Sequence, residues 1–366
     1  HNFDTIGDNN ALIHDKVNYK LPMGFLGKLV AGRMIKKRLD RMFTAREIRL
    51  ERDLKRHADF SDKPRKKILV AGSSGLIGRQ LVAFLDTGGH DVWRLVRRKA
   101  KKNEKELVWN PEVGIINHDV LEGFDAIIHL GGAGIGDKRW SKKRMKLIEE
   151  SRTKSTELLA NAITELTKKP EAFIVASAVG WYGERGDEEL DETSTPGEGF
   201  LPETCARWED SCQAARDIGV RTINLRTGIV LDATGGALGK MLLPAKLGAG
   251  GPIGRGKQWY SWVSMDDQIY SIHHLLMKED CEGAYNIGSP NPVQQKTFAK
   301  TLGKVLRRPA FMPTPPLGIW FLFGKMGVAL TTESTRVIPK RLVSSGYKFE
   351  HENLEEALRD SLGLWR

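Results

Sequence analysis

The sequence predicts an α/β fold: a doubly wound parallel sheet with a smaller C-terminal α+β lobe, preceded by a long N-terminal helix. Three observations predict it. Short apolar runs alternate with amphipathic helical patterns from residue 67 onward, the order that lays helices over a parallel sheet. A spaced glycine triplet, Gly72-Ser73-Ser74-Gly75-Leu76-Ile77-Gly78, directly follows the first of those runs. An apolar period near 3.6 runs through residues 26–56.

The elements follow in order. Residues 11–20 read as a strand of mixed alternation, ended by Leu21-Pro22. Leu26, Val30, Ile35, Leu39, Met42, Leu50 and Leu54 then mark one helical face, with Arg and Lys between them. One strand and one helix cannot enclose a core. The chain starts at His1 rather than Met, so residues 1–62 are expected to be the trailing part of a domain. Residues 60–65 form a polar, Pro-containing linker. Strands are expected at 67–71, 91–96, 126–130, 172–176 and 222–225, with helices at 78–85, 142–166 and 202–218. This makes residues 63–228 one α/β domain and 229–366 mainly a smaller mixed lobe, where Gly and Pro become dense. The apolar stretch 317–330 contains Lys325 and falls short of the about 20 residues a membrane span needs, so it reads as a core helix.

Composition narrows the classes. The 366 residues are 40% hydrophobic and 28% charged, an ordinary globular balance. Cys205, Cys212 and Cys281 make no disulfide framework and no zinc-type pair, which points to a reducing, cytoplasmic setting without a metal site. The net charge of +11 is spread along the chain, with its densest cluster at Arg97, Arg98, Lys99, Lys101 and Lys102. No zinc finger or aromatic-basic motif accompanies it, so nucleic acid is not an expected partner.

The glycine triplet sits between a strand and a helix. There, glycines permit a tight turn, close approach of a pyrophosphate and close helix–strand packing, and the helix N-terminus offers free N–H groups to the anion. This is the phosphate loop of a Rossmann-type fold. The second strand ends in Arg97-Arg98 where an NAD-selective site would carry a carboxylate. A guanidinium pairs bidentately with a phosphate, so NADP is the expected cofactor. A second glycine-rich run, 251–258, nearly matches an ATPase phosphate loop. It has Gln258 in place of the Mg²⁺-binding hydroxyl and no strand–helix setting, and is set aside.

With these residues in place the chain resembles the extended short-chain dehydrogenase/reductase superfamily. The carrying stretches are the phosphate loop, His129-Leu130-Gly131-Gly132-Ala133, Ala176-Ser177-Ala178, Arg226-Thr227-Gly228 and Asp266-Asp267. Arg139-Trp140, Ser151-Arg152, the run 177–183, Gly235-Gly236-Ala237, the runs 250–254 and 259–263, Asn291-Pro292 and the run 336–339 narrow it. They resemble the epimerase-family branch of nucleoside-diphosphate-sugar-epimerase-like and cell-division-inhibitor-like proteins, over residues 66–362. The resemblance implies cofactor contacts from the glycine loop, Arg97, Leu130, Gly131 and Arg152, with Ser177 near the nicotinamide and Arg139 facing a phosphate or the sheet edge. It implies a small-molecule substrate, in keeping with a nucleotide sugar, and leaves a homodimer open. Residues 15–24, with the helix after them, resemble the end of a START-like (helix-grip) domain, to which no binding residues are assigned.

One part of the superfamily pattern is missing. Its hydride enzymes use Tyr-x-x-x-Lys, and the two positions hold Leu201 and Cys205. Tyr182 is a replacement candidate for the phenol, alongside a role as a core or substrate-wall residue. Cys205 is expected as a small packed residue touching the cofactor rather than a nucleophile. Two functions remain open: an NADP-dependent oxidoreductase or epimerase with Ser177 and Tyr182 as catalytic residues, or a non-catalytic NADP-binding regulator or scaffold. Asp187, Glu188, Glu189, Asp191 and Glu192 read as a solvated acidic loop, His273 and His274 as core or surface residues, and Trp259, Tyr260 and Trp262 as divided between core and cleft.

Overall fold

The computed structural model describes residues 2–6, 10–18 and 24–365. They form two compact units, His1–Arg52 and Asp53–Arg366. In the first, β1 (Asn2–Ile6) and β2 (Asn10–His14) make an antiparallel ladder, and α1 (Gly24–Ala58) begins. The strand expected over 11–20 is thus shorter. Its terminator Leu21-Pro22, and the part of the START-like motif over 19–23, lie outside the described residues.

The second unit opens with β3 (Lys67–Ala71), α2 (Leu76–Thr87), β4 (Asp91–Val96), β5 (Glu106–Asn110), β6 (Ile115–Ile116), β7 (Ala126–His129) and α3 (Lys142–Glu165). It continues through β8 (Ala172–Ala178), β9 (Glu189–Leu190), α4 (Phe200–Asp210), α5 (Gln213–Asp217) and β10 (Arg221–Thr227). An eight-stranded sheet runs in the order β14-β10-β8-β7-β3-β4-β5-β6, where β14 is Gly283–Ile287. Every pair is parallel except β5–β6. Strand order reverses beside β3, with β4 on one side and β7 on the other, which opens a crevice beyond their C-terminal ends.

Both faces of this sheet are covered, which is why its central strands read as unbroken apolar runs. Ile68, Val70, Ile128, Ile174 and Ile223 pack with Leu81 and Phe84 of α2 and with Ile269 and Ile272 of α7 (Met265–Met277). Leu69, Ala71, Ile127, Phe173 and Val175 pack on the other face with Leu159 and Ile163 of α3 and with Trp208. The helix expected over 202–218 breaks at Ser211-Cys212 into α4 and α5.

The C-terminal lobe contains β11 (Ile229–Leu231), α6 (Gly236–Lys246), β12 (Trp259–Tyr260), β13 (Trp262–Ser264), β15 (Val293–Gln294) and α8 (Gln295–Leu306). After them come α9 (Pro316–Thr332), β16 (Arg336–Val337), α10 (Lys340–Ser344) and α11 (Leu354–Ser361). Its core gathers Leu238, Leu242, Trp262, Phe298, Leu302 and Leu358. The stretch 317–330 is not the continuous core helix expected. Gly324 leaves helical geometry at φ 66°, and Trp320 and Phe321 are exposed while Ile319 and Met326 are buried. Among the described residues, no helix is long and apolar enough to cross a membrane.

Candidate functional site

The loop from β3 to α2 is tight because its glycines leave no room for a side chain. Gly72 has φ 82°, and a Cβ there would lie 2.7 Å from backbone atoms of Leu130 and Gly131. At Gly78 it would lie 2.2 Å from the Gly72 carbonyl oxygen. Gly75 donates its N–H to that same oxygen at 3.0 Å and precedes the first turn of α2. Ser73, Ser74, Leu76 and Ile77 complete the turn, and the first N–H groups of α2 lack helical partners. Leu76 turns its side chain toward Gly235 and Gly236, which fixes the loop against the C-terminal lobe.

The loop after β7 forms the adjoining wall. A Cβ at Gly131 would press on the His129 ring at 2.8 Å, and one at Gly132 would press on Arg152 at 3.2 Å. His129 accepts the Gly131 N–H at Nδ1 (3.4 Å), so its ring proton sits on Nε2, facing Ser155 Oγ at 2.8 Å. Burial first, then the nearby Arg152 charge, depress its pKa to about 3, so it is neutral. Arg152 is 7% exposed and donates from Nη1 to the Ile148 carbonyl. Its guanidinium stands 5.1 Å from the Trp208 ring centroid. No carboxylate among the described residues pairs with it, and burial brings its pKa down to about 10. A buried cation without a counter-ion beside a glycine cradle is matched to an anionic ligand.

Arg97 and Arg98, both expected to face the cofactor, are placed differently. Arg98 makes a bidentate pair with Glu106 at 2.5 and 2.8 Å, and this holds the Glu106 carboxyl at about 2. It is committed to closing the turn between β4 and β5. Arg97 is 70% exposed, with a 3.5 Å contact to the equally open Glu112, and is the guanidinium left available at the strand end.

At the end of β8 lies a polar network that the sequence reading missed. Ser177 Oγ donates to Glu209 Oε1 at 2.6 Å. Arg226 grips both Glu209 oxygens at 2.9 Å and stacks 3.8 Å from the Trp181 ring centroid. Arg226 Nη1 also donates to Tyr182 Oη at 3.1 Å, and that hydroxyl donates to Asn286 Oδ1 at 2.7 Å. The signal was present as two charged residues at apolar-strand or helix positions, Arg226 in β10 and Glu209 in α4, since buried opposite charges pair.

Leu201 and Cys205 are both buried, on α4 against the turn at Gly180. Burial raises the Cys205 thiol to about 12, so it is a neutral packed group. Tyr182 is fully enclosed, with its hydroxyl used in both directions, and burial raises it to about 12. This geometry makes it a core residue that joins Arg226 to Asn286. The acidic loop is solvent-exposed at Asp187, Glu188 and Glu189, as expected, and its carboxylates are also partnered. Asp187 accepts from Trp259 Nε1, Arg185 holds Glu188, Arg336 holds Glu189, Lys340 holds Asp191, and Glu192 accepts the Asn286 and Arg341 amides. Tyr260 and Trp262 are core residues, whereas Trp259 is half-buried under Arg336. Arg139 donates to the carbonyl of Phe321, beside the break in α9.

Comparison with known proteins is consistent with this geometry. The NAD dependent epimerase/dehydratase family matches residues 68–288, and a domain of unknown function (DUF1731) matches residues 314–361. The chain is 35% identical to epimerase family protein Mb2239 of Mycobacterium bovis over 291 residues, 80% of this chain and 96% of that protein. It is 33% identical to human epimerase family protein SDR39U1 over 297 residues, 80% of this chain and 99% of that protein. The crystal structure of human SDR39U1 (isoform 2) with NADPH superposes with a TM-score of 0.72 at 31% identity, over 80% of this chain and 98% of that one. That of a nucleoside-diphosphate sugar epimerase from Corynebacterium glutamicum gives 0.73 at 32% identity, over 88% of this chain and 64% of that one. From its glycine cradle to its C-terminal lobe, the chain belongs to the NAD dependent epimerase/dehydratase family.

Proposed function

We propose that the protein binds NADP(H) in the crevice between β3 and β7 and is an oxidoreductase or epimerase of a small polar substrate, of which a nucleotide sugar is the leading class. The observation that carries this is Arg152, a buried guanidinium without a counter-ion beside a loop whose glycines admit a phosphate at backbone distance. The first N–H groups of α2 hold the pyrophosphate, Arg152 neutralises the dinucleotide, and exposed Arg97 takes the 2′-phosphate that distinguishes NADP from NAD. The NADPH in the human relative's structure supports this choice.

When bound, the nicotinamide supplies a hydride donor or acceptor at C4. The remaining work falls to Ser177. Because its proton is directed at Glu209, Ser177 Oγ offers only lone pairs to the crevice, and so accepts a hydrogen bond from a substrate hydroxyl. Arg226 fixes the Glu209 carboxylate, and Tyr182, itself bonded to Asn286, accepts from Arg226. Arg226, Tyr182 and Asn286 are positioning residues. The START-like reading of β1, β2 and α1 stays with this proposal: a ladder followed by a long helix is the element order such a domain ends on.

The test is a panel of sugar nucleotides, small alcohols and carbonyl compounds, followed by nicotinamide absorbance and by product analysis for epimers. Turnover that Ser177→Ala abolishes without loss of NADPH binding is the expected result. NADPH binding with no turnover across the panel, or turnover indifferent to Ser177→Ala, contradicts the catalytic assignment.

A further inference from the structure

His57 on the last turn of α1, His90 immediately before β4, and His273 on α7 meet at the edge of the sheet opposite the strand C-termini. None is more than 7% exposed. One ring nitrogen from each lies within 4.8 Å of those from the other two, and no Cys, Asp or Glu among the described residues joins the group. The rings meet edge-on or tilted, His57 to His273 at 5.0 Å between centroids and His90 to His273 at 5.6 Å. Each ring also has one buried nitrogen without a hydrogen-bond partner: Nδ1 of His57, Nε2 of His90 and Nε2 of His273. Buried polar atoms are normally satisfied, so three orphans in one cluster require an explanation.

We propose that His57, His90 and His273 hold one divalent transition metal of the zinc class, each through one ring nitrogen, with water completing the coordination. Imidazole-only donor sets suit Zn²⁺, Co²⁺ or Ni²⁺ and not Ca²⁺ or Mg²⁺, which take oxygen ligands. His57 is already oriented for this. Its Nε2 donates to the Phe84 carbonyl at 3.0 Å, which leaves the lone pair on Nδ1 and supplies the outer hydrogen bond typical of a ligating imidazole. His90 must change. Its Nδ1 accepts the Lys66 N–H at 3.1 Å, so the ring proton sits on Nε2. Coordination through Nε2 transfers that proton to Nδ1 and breaks the Lys66 contact. The site is far from the crevice and buried, so the ion is structural: it fastens the end of α1 to β4 and α7.

The experiment uses the full chain, stripped with a chelator and dialysed, then titrated with Zn²⁺ by calorimetry and with Co²⁺ by visible absorption. The expected result is one ion per chain, a Co²⁺ ligand-field band, and faster hydrogen exchange at the Lys66 amide on loading. His57→Gln and His273→Gln, checked for folding by circular dichroism, should each weaken Zn²⁺ binding at least about tenfold. No uptake by the folded wild-type chain overturns the proposal. Uptake that leaves both the Lys66 amide and the two variants unaffected places the ion elsewhere and also overturns it. Should either variant fail to fold, the Lys66 exchange of the wild-type chain decides.

Discussion

Ser177 and Glu209 are joined by a 2.6 Å hydrogen bond that ties the end of β8 to α4 and sets which way the serine hydroxyl points. Glu209 is held in turn by Arg226, and both charges are buried. Removing one partner of such a pair strands the other. Glu209→Gln is therefore expected to cost about 3–5 kcal/mol of stability. Ser177→Ala, which leaves the ion pair whole, should cost less, about 1.5–3 kcal/mol. Urea unfolding of the two variants measures the difference, and equal losses would mean that the pair is not the element holding the strand end.

Gly78 makes a sharper demand than Gly75. Alanine is ordinarily favoured over glycine inside a helix by about 1 kcal/mol. At Gly78 its Cβ would stand 2.2 Å from the Gly72 carbonyl, whereas at Gly75 the same oxygen is 3.2 Å away. Gly78→Ala is expected to abolish NADPH binding and lower the melting temperature, and Gly75→Ala to weaken binding with a smaller loss of stability. Fluorescence titration and thermal melts of both variants check this ordering.

The two arginines after β4 separate selectivity from stability. Arg97→Asp should lower the NADPH-to-NADH affinity ratio by about tenfold or more, since each tenfold corresponds to about 1.4 kcal/mol. Arg98→Ala should leave the ratio alone and destabilise the fold, because Glu106 loses its bidentate partner in a buried position. Parallel titrations of both variants with the two dinucleotides, together with melts, test the division.

Stability should fall on acidification before the carboxylates titrate. Burial lowers the pKa of His57, of His90 to about 4, of His129 to about 3, and of His273 well below its ordinary value. Neighbouring Arg65 and Lys66 push in the same direction at His90. In the unfolded chain these rings titrate near about 6.5. Between that value and the folded ones the unfolded state binds protons that the folded state refuses, so stability rises with pH there. The contribution is complete above about 6.5 and is lost as pH falls toward 4. Unfolding free energy measured from pH 4 to 8 should climb through this window in the metal-free chain. A flat profile there would mean that the imidazoles are not buried neutral.

Much of this architecture was legible because two signals agreed. The apolar runs at 67–71 and 91–96 matched β3 and β4 to the residue, and the glycine triplet lay between strand and helix as its spacing implied. β5 and β14 were not seen, since Glu106–Asn110 and Gly283–Ile287 mix polar and apolar residues at the sheet margins. The core helix expected at 317–330 failed because uniform hydropathy hides a single glycine outside helical geometry, Gly324. Pairings across the chain were illegible for a different reason. Arg98 with Glu106 and Tyr182 with Asn286 depend on which strands become neighbours, and a lone arginine or tyrosine carries no mark of its partner. The histidine cluster gathers residues 57, 90 and 273, too widely spaced for any local motif.

The most direct measurement is calorimetric titration of the purified full chain with NADPH and, separately, NADH, repeated for Arg152→Leu. The expected result is one NADPH site per chain, weaker binding of NADH, and loss of binding when Arg152 is replaced by an apolar residue. Failure of the folded chain to bind either dinucleotide would contradict it, as would an Arg152→Leu variant that binds NADPH as tightly as the unaltered protein.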